Sequence, residues 1–181
     1  YRTNPVAVIS SVVFVVLGLA ALFAPWISPT NPFDAGSLNL MNGFTPPFSA
    51  NQFTGDYFVL GTDDQGRDLV SAMLYGMRIS LMVGILAVGL AMVLGVTLGL
   101  VAGYRGGWVD AVVMRLADVQ LTFPSILIAM LVAGIALGLV PPDQREGMAT
   151  IILILSIGLS DWVQFARTVR SSTLLEKEKE Y

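Results

Sequence analysis

The run Ile79 to Ala102, ISLMVGILAVGLAMVLGVTLGLVA, contains no charged residue. A stretch of that length and character can cross the hydrocarbon core of a bilayer as a helix. Three further apolar segments stand around it. One extends from about Val6 to Ala24 and is stopped by Pro25. One extends from about Val119 to Val140 and contains Pro124. The last extends from about Met148 to Ala166, with Asp161 near its end. In the first, roughly 19 residues at about 1.5 Å rise cover about 28 Å. A cleaved signal peptide fits it poorly: the core is too long, Leu22 spoils the small-residue pattern before Ala24, and Pro25 would follow the cut. Four such segments in one short chain argue against a soluble core. The expected fold class is all-α, a polytopic transmembrane helical bundle of about four spans.

Composition agrees. The 181 residues are 55% hydrophobic and only 13% charged, about half the charged share of a soluble domain. Mean hydropathy is +0.73. The net charge of -3 says little, because in a membrane protein the placement of charge matters more than its sum. There is no His and no Cys. That excludes imidazole bases, thiol nucleophiles, disulfides and the commonest metal ligands. No catalytic residue, metal site or nucleic-acid partner is expected.

The segments divide the chain into 1–24, an N-terminal segment with the first span; 25–78, an extended external loop; and 79–181, the remaining spans. Pro29, Pro32, Pro46 and Pro47 argue against helix in the loop. Gly103 to Asp118 is a short connection, and Pro141 to Gly147 reads as a tight polar turn. Orientation follows from Lys and Arg. With the amino terminus inside, Arg2, Arg105, Arg115, Arg167, Arg170, Lys177 and Lys179 are cytoplasmic, and only Arg67, Arg78 and Arg145 lie outside. The chain starts at Tyr1 and ends within Glu176–Tyr181; both ends read as cuts in a longer protein.

Leu60-Gly61-Thr62-Asp63-Asp64-Gln65-Gly66-Arg67-Asp68 precedes the second span. Gly61 and Gly66 mimic the spacing of a phosphate-binding loop. Arg67 and Asp68 stand where Lys and a hydroxyl belong, and Asp63 and Asp64 would put negative charge in an anion cradle. Nucleotide hydrolysis by this chain is therefore not expected. Leu60 to Gly76 reads instead as a turn and a short amphipathic helix, capped by Thr62 or Asp63, with Leu69, Met73 and Leu74 as its apolar face. Asp68 has Arg67 or Arg78 as prospective partners.

Within the second span Ala87, Ala91, Gly95, Gly99 and Gly103 recur every four residues, a ridge that permits close helix approach. It fits packing inside this chain, a seam with a partner subunit, or a wall of a transport path. Asp118 and Asp161, near span ends, are candidates for a proton relay; the partner of Asp161 is not evident. Phe123-Pro124 places Pro in the first turns of the third span. Glu176 and Lys179, three apart, can pair on a helix.

Several patches in order resemble one family: the inner-membrane permease subunits of dipeptide and oligopeptide ABC importers, specifically the second of the two paired permeases. They are Ala24-Pro25-Trp26-Ile27-Ser28-Pro29, Leu60 to Asp68, Tyr75-Gly76-Met77-Arg78-Ile79-Ser80-Leu81, and Ala102-Gly103-Tyr104. Gly106-Gly107-Trp108-Val109-Asp110, Met114-Arg115, Asp118, Phe123-Pro124-Ser125, Ala166-Arg167 and Val169-Arg170 follow. Phe58 stands where the family often has His, and Ser71-Ala72 where it often has Ser-Arg. The resemblance implies a six-span permease in the bacterial inner membrane, with a second permease, cytoplasmic ATPase subunits that hold ATP and magnesium, and an external substrate-binding protein as partners. Its substrate would be a peptide or another small solute. Arg167, Arg170, Glu180 and Tyr181 would lead into a coupling loop beyond Tyr181. Gly61, Thr62, Asp63, Gly66, Arg67 and Asp68 would organise the outer face. The alternatives are a secondary transporter driven by ion gradients and a membrane anchor that transports nothing.

Overall fold

The computed structural model describes residues 4–34, 36 and 38–179. The chain forms two compact units, Tyr1–Met82 and Val83–Tyr181. The first begins with α1 (Pro5–Leu22). Asn4 Oδ1 accepts the Val6 N–H at 3.1 Å, and Pro5, which lacks an N–H, stands at the first helical position. Valines, Ile9 and Phe14 are exposed around this helix, as expected of a helix whose solvent is lipid. The expected stop at Pro25 lies elsewhere. α1 ends at Leu22, Phe23 breaks it, and Pro25 sits in the first turn of a four-residue helix, α2 (Ala24–Ile27). The loop that follows carries one departure from the all-α expectation, an antiparallel pair of β1 (Ser49–Ala50) and β2 (Tyr57–Phe58).

α3 (Leu69–Arg105) is one continuous helix of 37 residues. The expected short amphipathic helix and the second span are therefore a single element. No proline falls between Leu69 and Arg105, so nothing compels a break.

The second unit adds α4 (Gly107–Leu121), α5 (Ser125–Leu139) and α6 (Arg145–Glu178). The expected third span is divided. Val119 to Leu121 belong to α4, Pro124 precedes α5 rather than lying in its first turns, and the two axes bend by 98°. Alone, the 15 residues of α5 reach about 22 Å, short of a hydrocarbon core of about 30 Å. Among the described residues three helices are long and apolar enough to cross a membrane, or four if the bent pair counts as one span. The polar turn is also shorter than expected, because Arg145 already starts α6.

The small-residue ridge sets how α3 and α6 meet. Ala87 and Ala91 are buried. A Cβ on Gly95 would fall 2.5 Å from Phe165 Cβ, one on Gly99 2.5 Å from the Ala166 carbonyl oxygen, and one on Gly103 2.8 Å from Thr173 Cβ. In return, Gly158 faces Leu90. Partner numbers rise together, 90 with 158, 99 with 166, 103 with 173, so α3 and α6 run parallel. α5, which packs along α6, supplies the return between them.

Gly99→Ala should therefore destabilise the purified protein by about 1–3 kcal/mol, because backbone has to move aside. Gly84→Ala, whose Cβ meets nothing within 4 Å, serves as the control for helix propensity. Thermal unfolding in detergent reads the difference; equal melting temperatures would refute this account of the seam.

Candidate functional site

Two clusters hold the charged and polar residues singled out above. The first is the loop around Gly61–Asp68. Gly61 (φ +81°) and Gly66 (φ +76°) adopt left-handed backbone, which side chains other than glycine rarely tolerate. Both also press against backbone: a Cβ on Gly61 would lie 2.5 Å from the Thr45 carbonyl oxygen, and one on Gly66 would strike Asn39. Between them Asp63 Oδ1 accepts the Gln65 N–H at 2.9 Å and the Arg67 N–H at 2.8 Å. Its other oxygen lies 3.4 Å from Arg67 Nε.

Thr62 is buried. Its Oγ1 accepts the Thr45 N–H at 2.9 Å and donates to the Asn42 carbonyl. Asn51 Nδ2 in turn donates to Met41 O at 2.8 Å and Thr45 Oγ1 at 2.9 Å. Here hydrogen bonds hold together a segment whose large apolar side chains, Leu40, Phe44, Phe48 and Phe53 among them, are mostly exposed.

The expected caps, Thr62 and Asp63, do not cap α3; Asp68 does. It is 4% exposed, and its Oδ2 accepts from Ser71 N at 2.8 Å and from Ser71 Oγ at 2.5 Å. Ser71 Oγ also accepts from Thr30 N and Thr30 Oγ1, both at 3.3 Å. The expected pairing of Asp68 with Arg67 or Arg78 is thus replaced by a cap, and Arg67 pairs with Asp63. A cavity of about 480 Å³ lies alongside, lined by Asn39, Asp56, Arg67 and Asp68 among others.

The second cluster joins α4 to α6. Arg170 grips Asp110 with two hydrogen bonds, Nη2 to Oδ2 at 2.5 Å and Nε to Oδ1. Arg167 pairs with Asp118. Gln120 Nε2 donates to the Leu159 and Ser160 carbonyls at 3.2 and 2.6 Å, and its Oε1 accepts from Trp162 Nε1 at 2.9 Å. As α4 numbers rise the α6 partners fall, so this contact is antiparallel. Asp118, a candidate relay group, is one half of an ion pair. Asp161 accepts from its neighbour Ser160 Oγ at 3.2 Å.

Farther along α6, Lys177 Nζ donates to the Tyr104 carbonyl at 3.0 Å and lies 5.8 Å from that ring's centroid. Lys179 meets Glu176 at 2.7 Å, as their spacing suggests. Glu180 and Tyr181 lie outside the described residues. Among the described residues no group of three or more carboxylates gathers to hold a metal ion.

The structure thus brings Arg167 and Arg170 together on one face of α6 and gathers the outer signature into one loop. Sequence reasoning missed the pairing of Arg170 with Asp110 and of Arg167 with Asp118, the Gln120–Trp162 bond, and Asn42, Thr45 and Asn51 as the loop's framework. The cross-helix pairs bridge 39 to 60 positions, and no local spacing marks them.

Comparison with known proteins gives two family matches. Residues 1–47 match the N-terminal TM domain of oligopeptide transport permease C. Residues 95–181 match the binding-protein-dependent transport system inner membrane component. Among curated relatives, an oligopeptide transport system permease protein of Bacillus subtilis (strain 168) is 35% identical over 181 residues, all of this chain and 53% of the relative. A dipeptide transport system permease protein of Haemophilus influenzae is 32% identical over 100% of this chain and 57% of its own length. A glutathione transport system permease protein of Pectobacterium atrosepticum is 37% identical over 97% and 52%. The chain spans about half the length of the curated relatives it matches.

A double-mutant cycle on Asp110→Asn and Arg170→Gln should give a coupling energy of about 1–2 kcal/mol, since both side chains are mostly buried. The half-exposed Asp118–Arg167 pair should give less than about 1 kcal/mol. Unfolding of the purified protein measures both; the reverse ranking would mean that burial does not govern these contacts.

Proposed function

We propose that the chain, whose residues 1–47 and 95–181 match the two permease family models just described, is part of a membrane permease of an ATP-binding-cassette importer for peptides or similar small solutes. The observation that carries this reading is the similarity of 97% or more of the chain to peptide and glutathione permeases. It pairs with a second permease to form the translocation path. Separate cytoplasmic ATPase subunits hold ATP and magnesium and do the hydrolysis, so the chain itself is not an enzyme. An external binding protein delivers the solute. The amino terminus is cytoplasmic, as the Lys and Arg distribution favours.

The charged cluster suits such a role. α6 is one uninterrupted helix, and Arg167 and Arg170 tie it to α4. Displacement of its carboxyl end by a nucleotide-driven partner would therefore carry α4 and the bend ahead of α5 with it. Nucleotide must favour one state of the permease pair over the other for this to do work. The signature loop, held by Gly61, Gly66, Thr62 and Asp68, is a preformed scaffold for the partner permease or binding protein.

The full-length protein, reconstituted with its partner subunits in vesicles, should take up a dipeptide, oligopeptide or glutathione only with ATP on the ATPase side and the binding protein on the other. Arg170→Gln should lower that uptake roughly two- to thirtyfold, the scale of about 0.5–2 kcal/mol of lost coupling. Uptake that runs on an ion gradient without ATP would overturn the proposal. Orientation has its own test: a single thiol in place of Lys177 should react with an impermeant maleimide only from the cytoplasmic side, and labelling of whole cells would reverse the topology.

A further inference from the structure

α4 turns its polar residues inward. Asp110, Asp118 and Gln120 all reach α6, and Ala117 is buried on the same side. The outward face carries Trp108, Val112, Leu116 and Val119, exposed at 77%, 48%, 60% and 54%. At about 100° per residue these form one stripe, with Arg115 within it. A helix at a water-exposed surface has the reverse pattern.

Charge and depth narrow what covers this stripe. The carboxylates of α4 are answered by Arg170 and Arg167. Arg115, and Arg105 at the end of α3, form no ion pair among the described residues. Each therefore carries a positive charge that no carboxylate among the described residues answers. The Asp110 end of α4 meets Arg170, beyond the apolar run of α6, whereas the Gln120 end meets Leu159 and Ser160, within it. α4 thus descends obliquely from headgroup level toward the acyl region, bent 98° from α5. Trp108 marks the shallow end, where amphipathic rings concentrate, and Leu116 and Val119 the deeper one. Arg115 can lay its methylenes along the stripe and send its guanidinium to the phosphates.

We propose that the outward face of α4 is a lipid-seating surface with a preference for acidic phospholipid, whose phosphate is met by Arg105 and Arg115 and whose acyl chains lie against Val112, Leu116 and Val119. This rests on the membrane fold and not on the transport reading.

Because the chain has no cysteine, single spin labels can test it in the full-length protein within its complex. Any cysteine elsewhere in the full-length protein is first replaced. The vesicles contain phosphatidylcholine mixed with phosphatidylglycerol. Labels at Val112, Leu116 and Val119 should collide with oxygen and not with a water-soluble nickel chelate, while a label at Ala117 is shielded from both. Outward labels reached by the chelate would place the face in water, and labels shielded from both would place a protein on it; either result overturns the proposal. Phosphatidylglycerol retained through purification should fall about fivefold relative to phosphatidylcholine in Arg115→Gln, the scale of one basic side chain near an anionic surface, and recover in Arg115→Lys. An unchanged ratio in Arg115→Gln would refute the acidic preference.

Discussion

The contact on which the second unit depends is the backbone approach of α3 and α6 along Gly95, Gly99 and Gly103. In lipid there is little hydrophobic drive to bring two apolar helices together, so association rests on close van der Waals packing and on the hydrogen bonds that proximity allows. Removing side chains on one helix is the direct way to obtain that proximity. The parallel register then dictates the rest. α5 must return between the two long helices, and the carboxyl ends of α3 and α6 must share a side. There Lys177 reaches Tyr104, and about two turns back Arg170 is held for Asp110. α4 has only to present its carboxylates to be clamped.

The outer loop is stabilised by different means. It leaves most of its large apolar side chains exposed, and its core is a web of Asn42, Thr45, Asn51 and Thr62 hydrogen bonds. Such a web is sound only when every member is satisfied. In the Gly61–Asp68 segment the acids are held by the loop's own backbone: Asp63 is committed to its own turn and Asp68 to the start of α3.

Much of this was legible in the sequence. Apolar runs without charge announced the spans, the four-residue recurrence of small residues announced the seam, and the spacing of Glu176 and Lys179 announced their pairing. What escaped did so for physical reasons. Leu69 to Arg78 carries enough polarity to resemble an interfacial helix, yet contains nothing that ends a helix, and it runs on into the span. Thr62, Asp63 and Asp68 are all competent caps; which one serves depends on how the loop closes over Thr45 and Thr30. Pro124 was visible, but a 98° bend depends on what holds α4, and the Asp110–Arg170 clamp spans 60 positions with no local signature. The boundary of the third span was misplaced because apolarity runs through the break at Thr122 to Pro124.

The shared direction of α3 and α6 carries an electrostatic consequence. Antiparallel neighbours cancel their macrodipoles; parallel ones add them, leaving about half a negative charge at each of two adjacent carboxyl ends. In the low dielectric near a bilayer such ends repel. Lys177, seated on the Tyr104 carbonyl, acts as a counter-charge between them. A basic residue of α6 thus neutralises, by its position, the repulsion that a parallel pair of helices creates.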